Sequence, residues 1–394
     1  LLYMATGHHL KAEPLHQRAL IIREKTLSPN HPHVAQSLNN LAELYRETGQ
    51  YAKAEPLYER SLTLKEKALG PDHPDVATSL SNLATLAAAR QEYAKANGLV
   101  QRVLRIRDRQ IQDVFSFTNE EQKLRFMDTI QGSHFFSLSL IHQHLTTDPD
   151  AVRDGFETVL RRKGVVFDAQ SRTQEVLRGR LSESALKDWN QLSTLRSELA
   201  HLLLNKPEKM SPETYQERRA SLQRQIEEVE KRLADESALV AKELKQRIVT
   251  VEAAAKALPK GSALVEFVRI ADYDFATGKW APTERYLAFV LTAAGEVTLV
   301  DLGDAEELEK QARLALEHIH VSMRAPQKSR QSLQTLYQTV WAPLTAALKG
   351  ADKVVLSPDG QLNLVPFATL LDEQGRPLVE KYRLAYVTSG RELV

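Results

Sequence analysis

A 42-residue repeat at the start of the chain constrains the fold more than any other feature of the sequence. Thr6–Glu47 aligns with Thr48–Ala89 without gaps, and 23 of the 42 positions are identical. A third copy begins near Arg90, and the chain opens inside a copy, so we expect the first repeat to be cut. A repeat of this length is one supersecondary unit that buries its apolar surface by stacking on its neighbours. The sequence therefore predicts a solenoid.

Each copy of the repeat has the apolar spacing of a pair of helices. Val34, Leu38 and Leu41 follow the i, i+4, i+7 spacing of one helical face. Gly49 ends this helix, because glycine best tolerates the left-handed conformation found at helix C-termini. A second apolar stripe follows each such stop. The fold class predicted for this part of the chain is accordingly mostly α.

Three short motifs recur in both full copies. They are Ala-Glu-Pro-Leu at 12–15 and 54–57, Pro-x-His-Pro at 29–32 and 71–74, and Asn-Leu-Ala at 40–42 and 82–84. With these motifs the repeat resembles the tetratricopeptide repeat in its long-loop form, similar to that of kinesin light chains. The resemblance implies a curved solenoid whose concave face binds an extended or helical peptide. We therefore expect a protein or peptide partner in the solenoid groove.

Asn40 and Asn82 occupy the same repeat position, on the first helix of each unit. In solenoids of the family that the repeat resembles, such an asparagine faces the groove and bonds the backbone of a bound peptide. The alternative is an asparagine that satisfies a neighbouring helix end. We predict Asn40 and Asn82 as peptide-binding residues. His31 and His73 also share a position, but a full repeat separates them, which favours structural loop roles over a metal site.

The rest of the chain divides into three further segments by pattern. Residues 1–108 hold the repeats, and residues 109–180 read as a helical continuation or cap. Residues 181–257 predict an antiparallel helical hairpin of the coiled-coil type, since two apolar seams are joined by a short loop. The seams are formed by Leu192, Leu195, Leu199 and Leu202 on one helix and by Leu222, Ile226, Val229 and Leu233 on the other.

Residues 258–394 change to short β-rich runs mixed with helical spacing, which indicates an α/β layer. Val354–Leu356 and Leu384–Val387 are apolar enough to predict parallel strands buried on both faces. The run at 356–367 reads LSPDGQLNLVPF, and residues 386–391 read YVTSGR. In this order these elements resemble the first part of a CHAT domain, a family similar to caspases and separases that typically follows tetratricopeptide repeats. The resemblance implies a partial caspase-like α/β domain, truncated before the catalytic residues.

Peptidases of that family use a His-Gly general base and a Ser-Ala-Cys-Glu nucleophile, because a thiolate attacks the peptide carbonyl once a base takes its proton. None of the 12 histidines precedes a glycine, and the chain has no cysteine. We transfer no catalytic residue and expect this chain to be inactive, while the resemblance implies that the complete parent is a caspase-like cysteine endopeptidase. The alternative is a non-catalytic interaction scaffold or a regulatory subunit. Ser357, Ser389, Asp359 and Glu380 read as structural residues.

The composition excludes several other classes of protein. The 52 basic and 51 acidic side chains give a net charge of +1, which argues against a nucleic-acid binder. No apolar stretch approaches the length of a membrane span. We find no phosphate loop or metal-ligand cluster, so we predict no cofactor and no metal. Without cysteine the chain can form no disulfide, which fits a reducing compartment, and we expect a cytoplasmic protein.

Overall fold

The structure is a computed structural model that describes residues 8–27, 31–115, 120–166, 182–204, 210–236, 249–320, 326–348 and 350–394. The chain divides into two compact units, Leu1–Ser133 with Val166–Gln246 and His134–Val165 with Arg247–Val394. These units do not follow the four segments predicted from pattern, because residues 134–165 group with the C-terminal sheet. The division into four segments stays a prediction about the parts of the chain.

The first unit is built from helices. Their bounds are α1 His9–Thr26, α2 Pro32–Glu47, α3 Tyr51–Leu69, α4 Pro74–Ala89, α5 Tyr93–Phe115, α8 Glu183–Leu204 and α9 Pro212–Glu236, and α6 Glu120–His144 is shared between the units. Helices α2 and α4 are the first helices of the repeats, and α1, α3 and α5 are the second helices. The predicted apolar face is confirmed, since Val34 and Leu38 are fully buried and Leu41 is 5% exposed. The helix pairs agree with the predicted repeat, and Gly49 adopts a φ of +73° after α2.

Ion pairs recur between successive second helices at equivalent repeat positions. Arg60 of α3 lies 2.8 Å from Glu24 of α1. One repeat later, Arg102 of α5 makes the same pair with Glu66 of α3. Exposed pairs of this kind each contribute little to the free energy of folding. Their recurrence instead indicates that neighbouring repeats stack in one register.

A second recurring contact joins each second helix to the first helix that follows it. The Arg23 guanidinium of α1 donates to the backbone oxygen of His33 at 2.9 Å and to the Ser37 hydroxyl at 2.8 Å. The equivalent residue of the next repeat, Lys65, donates to the backbone oxygen of Asp75 at 3.3 Å. These cations fill the positions where the first turn of a helix meets its neighbour.

Helices α8 and α9 form a hairpin that packs on the repeats. The eight predicted seam residues are all buried, in one cluster with Ala68 and Leu69 at the end of α3. Gln216 and Arg219 of α9 donate to the backbone oxygens of Ala68 and Leu69, each at 3.1 Å. Side chains of the hairpin thus satisfy carbonyl groups that a helix end leaves without intrahelical partners. The coiled-coil geometry of the hairpin stays a prediction.

The second unit is a five-stranded mixed sheet with helices on both faces. Its elements are α7 Pro149–Arg162, α10 Val251–Ala257, β1 Ser262–Asp274, β2 Lys279–Thr292, β3 Val297–Asp304, α11 Ala305–His320, α12 Pro326–Val340, β4 Lys353–Ser357 and β5 Arg383–Tyr386. The strand order is β3-β2-β1-β4-β5, in which β1 is antiparallel to β2 and β4 is parallel to both β1 and β5. The fold class is therefore mostly α with a partial α/β domain, as predicted.

The two faces of β1 enter two different cores, as the alternation of a strand requires. Val265 and Phe267 pack with α11 and α12 on one face. Leu264 and Val268 pack with α7 and α10 on the other face. In the described residues, every helix is too short or too polar to cross a membrane.

Strand β5 contradicts the prediction that it is buried on both faces. Strands β4 and β5 are parallel as predicted, but β5 is not buried on both faces. Arg383 and Ala385 are exposed, and Tyr386 is 52% exposed. The reason is the position of β5 at the edge of the described sheet, where only β4 pairs with it.

Candidate functional site

The first helices of the repeats carry a stripe of side chains that the solenoid core does not bury. The stripe consists of five pairs of positions one repeat apart, at the alternating i+3 and i+4 spacing that keeps side chains on one helical face. We call it the first-helix stripe, and its pairs are His33 and Asp75, Gln36 and Thr78, Asn40 and Asn82, Glu43 and Thr85, and Glu47 and Ala89. None of these residues is buried. The stripe contains both predicted site residues.

The amide groups in the middle of the stripe are bonded to one another only in part. The Asn82 Nδ2 atom donates to Asn39 Oδ1 at 2.8 Å and so joins α4 to α2. The Asn40 Oδ1 atom accepts from Gln36 Nε2 at 2.7 Å on the same helix. Asn40 and Asn82 therefore both lie on the first-helix stripe, but each forms its hydrogen bond with a different side chain. Sequence reasoning missed Gln36, which the helical period of the stripe indicates, and Asn39, which lies outside the stripe but bonds Asn82.

Glu43 is fixed at the edge of the stripe by two donors. The buried Tyr58 hydroxyl of α3 donates to its carboxylate, and Arg46 bonds it at 2.5 Å. Burial of Glu43 opposes its ionisation, but the hydrogen bonds from Arg46 and Tyr58 outweigh it, so the pKa of Glu43 is lowered. Burial, together with the nearby Glu43 carboxylate, raises the pKa of Tyr58. Glu43 is therefore a charged carboxylate at neutral pH.

His31 and His73 begin the two first helices. The Nδ1 atom of His31 accepts from the His33 N–H at 3.1 Å, and that of His73 accepts from the Asp75 N–H at 3.0 Å. The His73 ring also packs edge-on against Tyr215 of the hairpin at 5.4 Å. Both histidines thus act as helix caps, in line with the predicted structural roles. No three His, Asp or Glu side chains of the described residues form a metal-binding group.

A buried polar cluster lies where β1 and β4 separate. The Lys163 Nζ atom, just after α7, donates to the backbone oxygens of Phe267 and Ser357 at 2.8 Å each. It also lies 2.9 Å from the fully buried Glu266 carboxylate. That carboxylate accepts from the Ser357 hydroxyl at 2.5 Å and from the Gly390 N–H at 2.7 Å. The groups of this cluster bond to one another.

Four C-terminal residues are of types that serve as catalytic groups, namely Ser357, Ser389, Asp359 and Glu380, and they lie in different environments. Ser357 is fully buried and Ser389 is 1% exposed, so neither hydroxyl is placed to meet a substrate. The Asp359 carboxylate accepts from the backbone N–H groups of Arg269 and Gly360 at 2.8 and 3.0 Å. Glu380 is exposed and shares no partner with Asp359 in the described residues. The structural role of these four residues stays a prediction.

The comparisons with known proteins agree with the motifs. A family model of the tetratricopeptide repeat matches residues 1–67 and 38–109. A model of the CHAT domain matches residues 330–394, which contain β4 and β5. No curated protein matches the chain. The chain is therefore a protein with tetratricopeptide repeats over residues 1–109 and a CHAT domain match over residues 330–394.

Proposed function

We propose that the repeats bind an extended segment of a partner protein along the first-helix stripe. The proposal rests on the side-chain amides of Asn40 and Asn82, each of which, in the part of the chain that the structure describes, uses only one of its two polar atoms in a hydrogen bond. Among the described residues, Asn40 Nδ2 and Asn82 Oδ1 make no hydrogen bond, whereas the other half of each amide is bonded within the protein. A peptide backbone carries both a C=O acceptor and an N–H donor. Asn40 offers the matching donor and Asn82 the matching acceptor.

The spacing of the two asparagines suits an extended ligand. Neighbouring helices pack with axes about 10 Å apart. An extended chain covers that distance in about three residues, at roughly 3.3 Å for each residue. One peptide strand that crosses α2 and α4 therefore bonds Asn40 and Asn82 through backbone groups about three residues apart.

The test uses linear peptides selected from a random display library against the whole chain. Asn40→Ala with Asn82→Ala should weaken their binding by about 1–3 kcal/mol, because two hydrogen bonds to the ligand are lost. Asn190→Ala is the matched control, since this exposed asparagine lies on α8, outside the stripe. Unchanged affinity in the double variant, at unchanged helicity, would contradict the proposal.

A second proposal concerns the CHAT segment. The match at residues 330–394 supports the proposal that this chain is part of a caspase-like cysteine peptidase. In such a protein the repeats would recruit or sense a partner protein. This chain has no cysteine, so that chemistry requires residues it does not contain. The alternative is a scaffold or regulatory subunit without catalysis. A longer coding sequence that contains this chain together with a His-Gly and an Ala-Cys-Glu motif would favour the peptidase. A longer sequence without those motifs would favour the scaffold. We also propose a cytoplasmic location, because a chain without cysteine suits a reducing compartment.

A further inference from the structure

The first-helix stripe has a one-sided charge. Its ten positions contain three carboxylates, those of Glu43, Glu47 and Asp75, and no lysine or arginine. The whole chain has a net charge of +1, so this local excess of negative charge is not a property of the whole protein. A ligand in the stripe meets the local charge at contact distance, where electrostatic complementarity decides which partner fits.

Three cations that border the stripe, Arg46, Arg90 and Lys95, are each paired with a carboxylate. Two others, Arg23 and Lys65, donate to the backbone oxygens of His33 and Asp75. Arg46 bonds Glu43 at 2.5 Å. Arg90, directly after α4, lies 2.8 Å from Glu92 and also bonds Glu55. Lys95 lies 2.5 Å from the same Glu55. These pairs leave the cations poorly suited to bind an incoming carboxylate.

Two of the stripe carboxylates face solvent at opposite ends of the stripe. Glu47 is the last residue of α2, its side chain is 34% exposed, and the His9 Nδ1 atom lies 3.7 Å from its carboxylate. Asp75 lies in the first turn of α4, and its side chain is 56% exposed. The His73 Nδ1 atom lies 3.9 Å from the Asp75 carboxylate but accepts the Asp75 N–H, and the Lys65 ammonium group donates to the Asp75 backbone oxygen at 3.3 Å. The carboxylate itself is exposed and can be reached by a ligand.

We infer that the segment bound by the first-helix stripe is a basic one, with lysine or arginine on either side of the backbone groups that meet Asn40 and Asn82. This inference rests on the proposed function and adds the chemistry of the partner. The central amides bond the backbone, which every peptide has, and the two outer carboxylates select side chains of positive charge. An acidic segment, or a free C-terminal carboxylate, meets like charge at Glu47 and Asp75.

The experiment compares three random peptide pools of one length, amidated at the C-terminus, in which alternate positions are fixed as Lys, Gln or Glu. Fluorescence anisotropy with the whole chain gives the Kd of each pool. We expect the Lys pool to bind about tenfold more tightly than the Glu pool, with a ratio that shrinks as salt is added. Glu47→Gln with Asp75→Asn should bring this ratio close to one, because the two outer charges that favour the Lys pool are lost and a unit charge at contact in water changes affinity by about fivefold.

Glu59→Gln is the matched control, because Glu59 is exposed on α3 and lies outside the stripe. A Glu pool that binds as tightly as the Lys pool would overturn the inference, and so would a preference unaffected by the Glu47 and Asp75 changes. In both cases the proposed function survives if Asn40→Ala with Asn82→Ala still weakens binding of the Gln pool. Failure of all three pools to bind would contradict the proposed function itself, and the inference with it.

Discussion

The ammonium group of Lys163 lies 2.9 Å from the carboxylate of Glu266, a residue that is fully buried in the sheet. Lys163 itself is 14% exposed and reaches this site from the end of α7. A buried carboxylate is costly unless its charge is paired and its lone pairs are bonded. Lys163, Ser357 and the Gly390 N–H meet that requirement together. The pair therefore fixes the end of α7 to the point where β1 and β4 separate.

Lys163→Met should destabilise the second unit by about 3–5 kcal/mol, because it leaves Glu266 charged and without its cation. The measurement is native-state hydrogen exchange of the β1 and β4 amides. The double variant Lys163→Met with Glu266→Gln has no unpaired charge at this site and should regain part of the lost stability. If the double variant exchanges as fast as the single one, the pair does not act through charge.

Lys65→Arg should stabilise the repeats by about 0.5–1.5 kcal/mol, the usual contribution of one hydrogen bond. In the first repeat, Arg23 bonds the Ser37 hydroxyl at 2.8 Å. The equivalent Ser79 is fully buried, and its hydroxyl has no partner in the described part of the chain. An arginine at position 65 has a longer, forked donor group that can bond the Asp75 backbone oxygen and the Ser79 hydroxyl together, as Arg23 bonds His33 and Ser37. Urea unfolding followed by helical circular dichroism measures the change.

The reverse substitution is the control for this prediction. Arg23→Lys should cost a similar amount, because it leaves the buried Ser37 hydroxyl without its donor. Destabilisation by Lys65→Arg would show that the space around Ser79 does not admit the larger guanidinium.

His134 should make the second unit less stable in acid. Burial, with a smaller contribution from the Arg162 guanidinium, lowers the pKa of His134 from 6.5 to about 3. Between these values the unfolded chain binds a proton that the folded chain does not. Stability therefore falls as the pH decreases from 6.5 towards about 3, by about 1.4 kcal/mol for each pH unit.

His134→Leu removes this proton and should flatten the pH dependence of the thermal midpoint between pH 6.5 and about 3. The exposed His201 supplies the control, since His201→Leu should leave the slope unchanged. An equal slope in wild type and His134→Leu would mean that other groups cause the acid sensitivity.

The chain as it stands should have no cysteine peptidase activity, because it contains no thiol to form an acyl-enzyme. The measurement is turnover of a broad peptide library, with a thiol-directed probe as a parallel readout. Turnover that persists after contaminating proteases are removed, and that the probe does not affect, would point to a different nucleophile in this chain.

The pattern of apolar residues was enough to predict the local organisation of this protein. The apolar period of the repeat predicted the helix pairs, since Val34 and Leu38 must lie on the face that their neighbours cover. The same period places Asn40 and Asn82 on one exposed face, because residues three and four apart share a side of a helix. The parallel pairing of β4 with β5 followed from their apolar composition.

The contacts between residues far apart in sequence could not be predicted from that pattern. Residues 134–165 have the helical period of the repeats, yet Phe156 of α7 stacks on Phe289 of β2 at 5.4 Å, in the core beneath the sheet. Likewise Asn82 bonds Asn39 and not its repeat equivalent Asn40. The period of the apolar residues predicts which face of a helix is buried, but it does not predict which surface packs against that face. That surface is chosen by the packing of side chains far apart in sequence, which also leaves β5 exposed at the sheet edge.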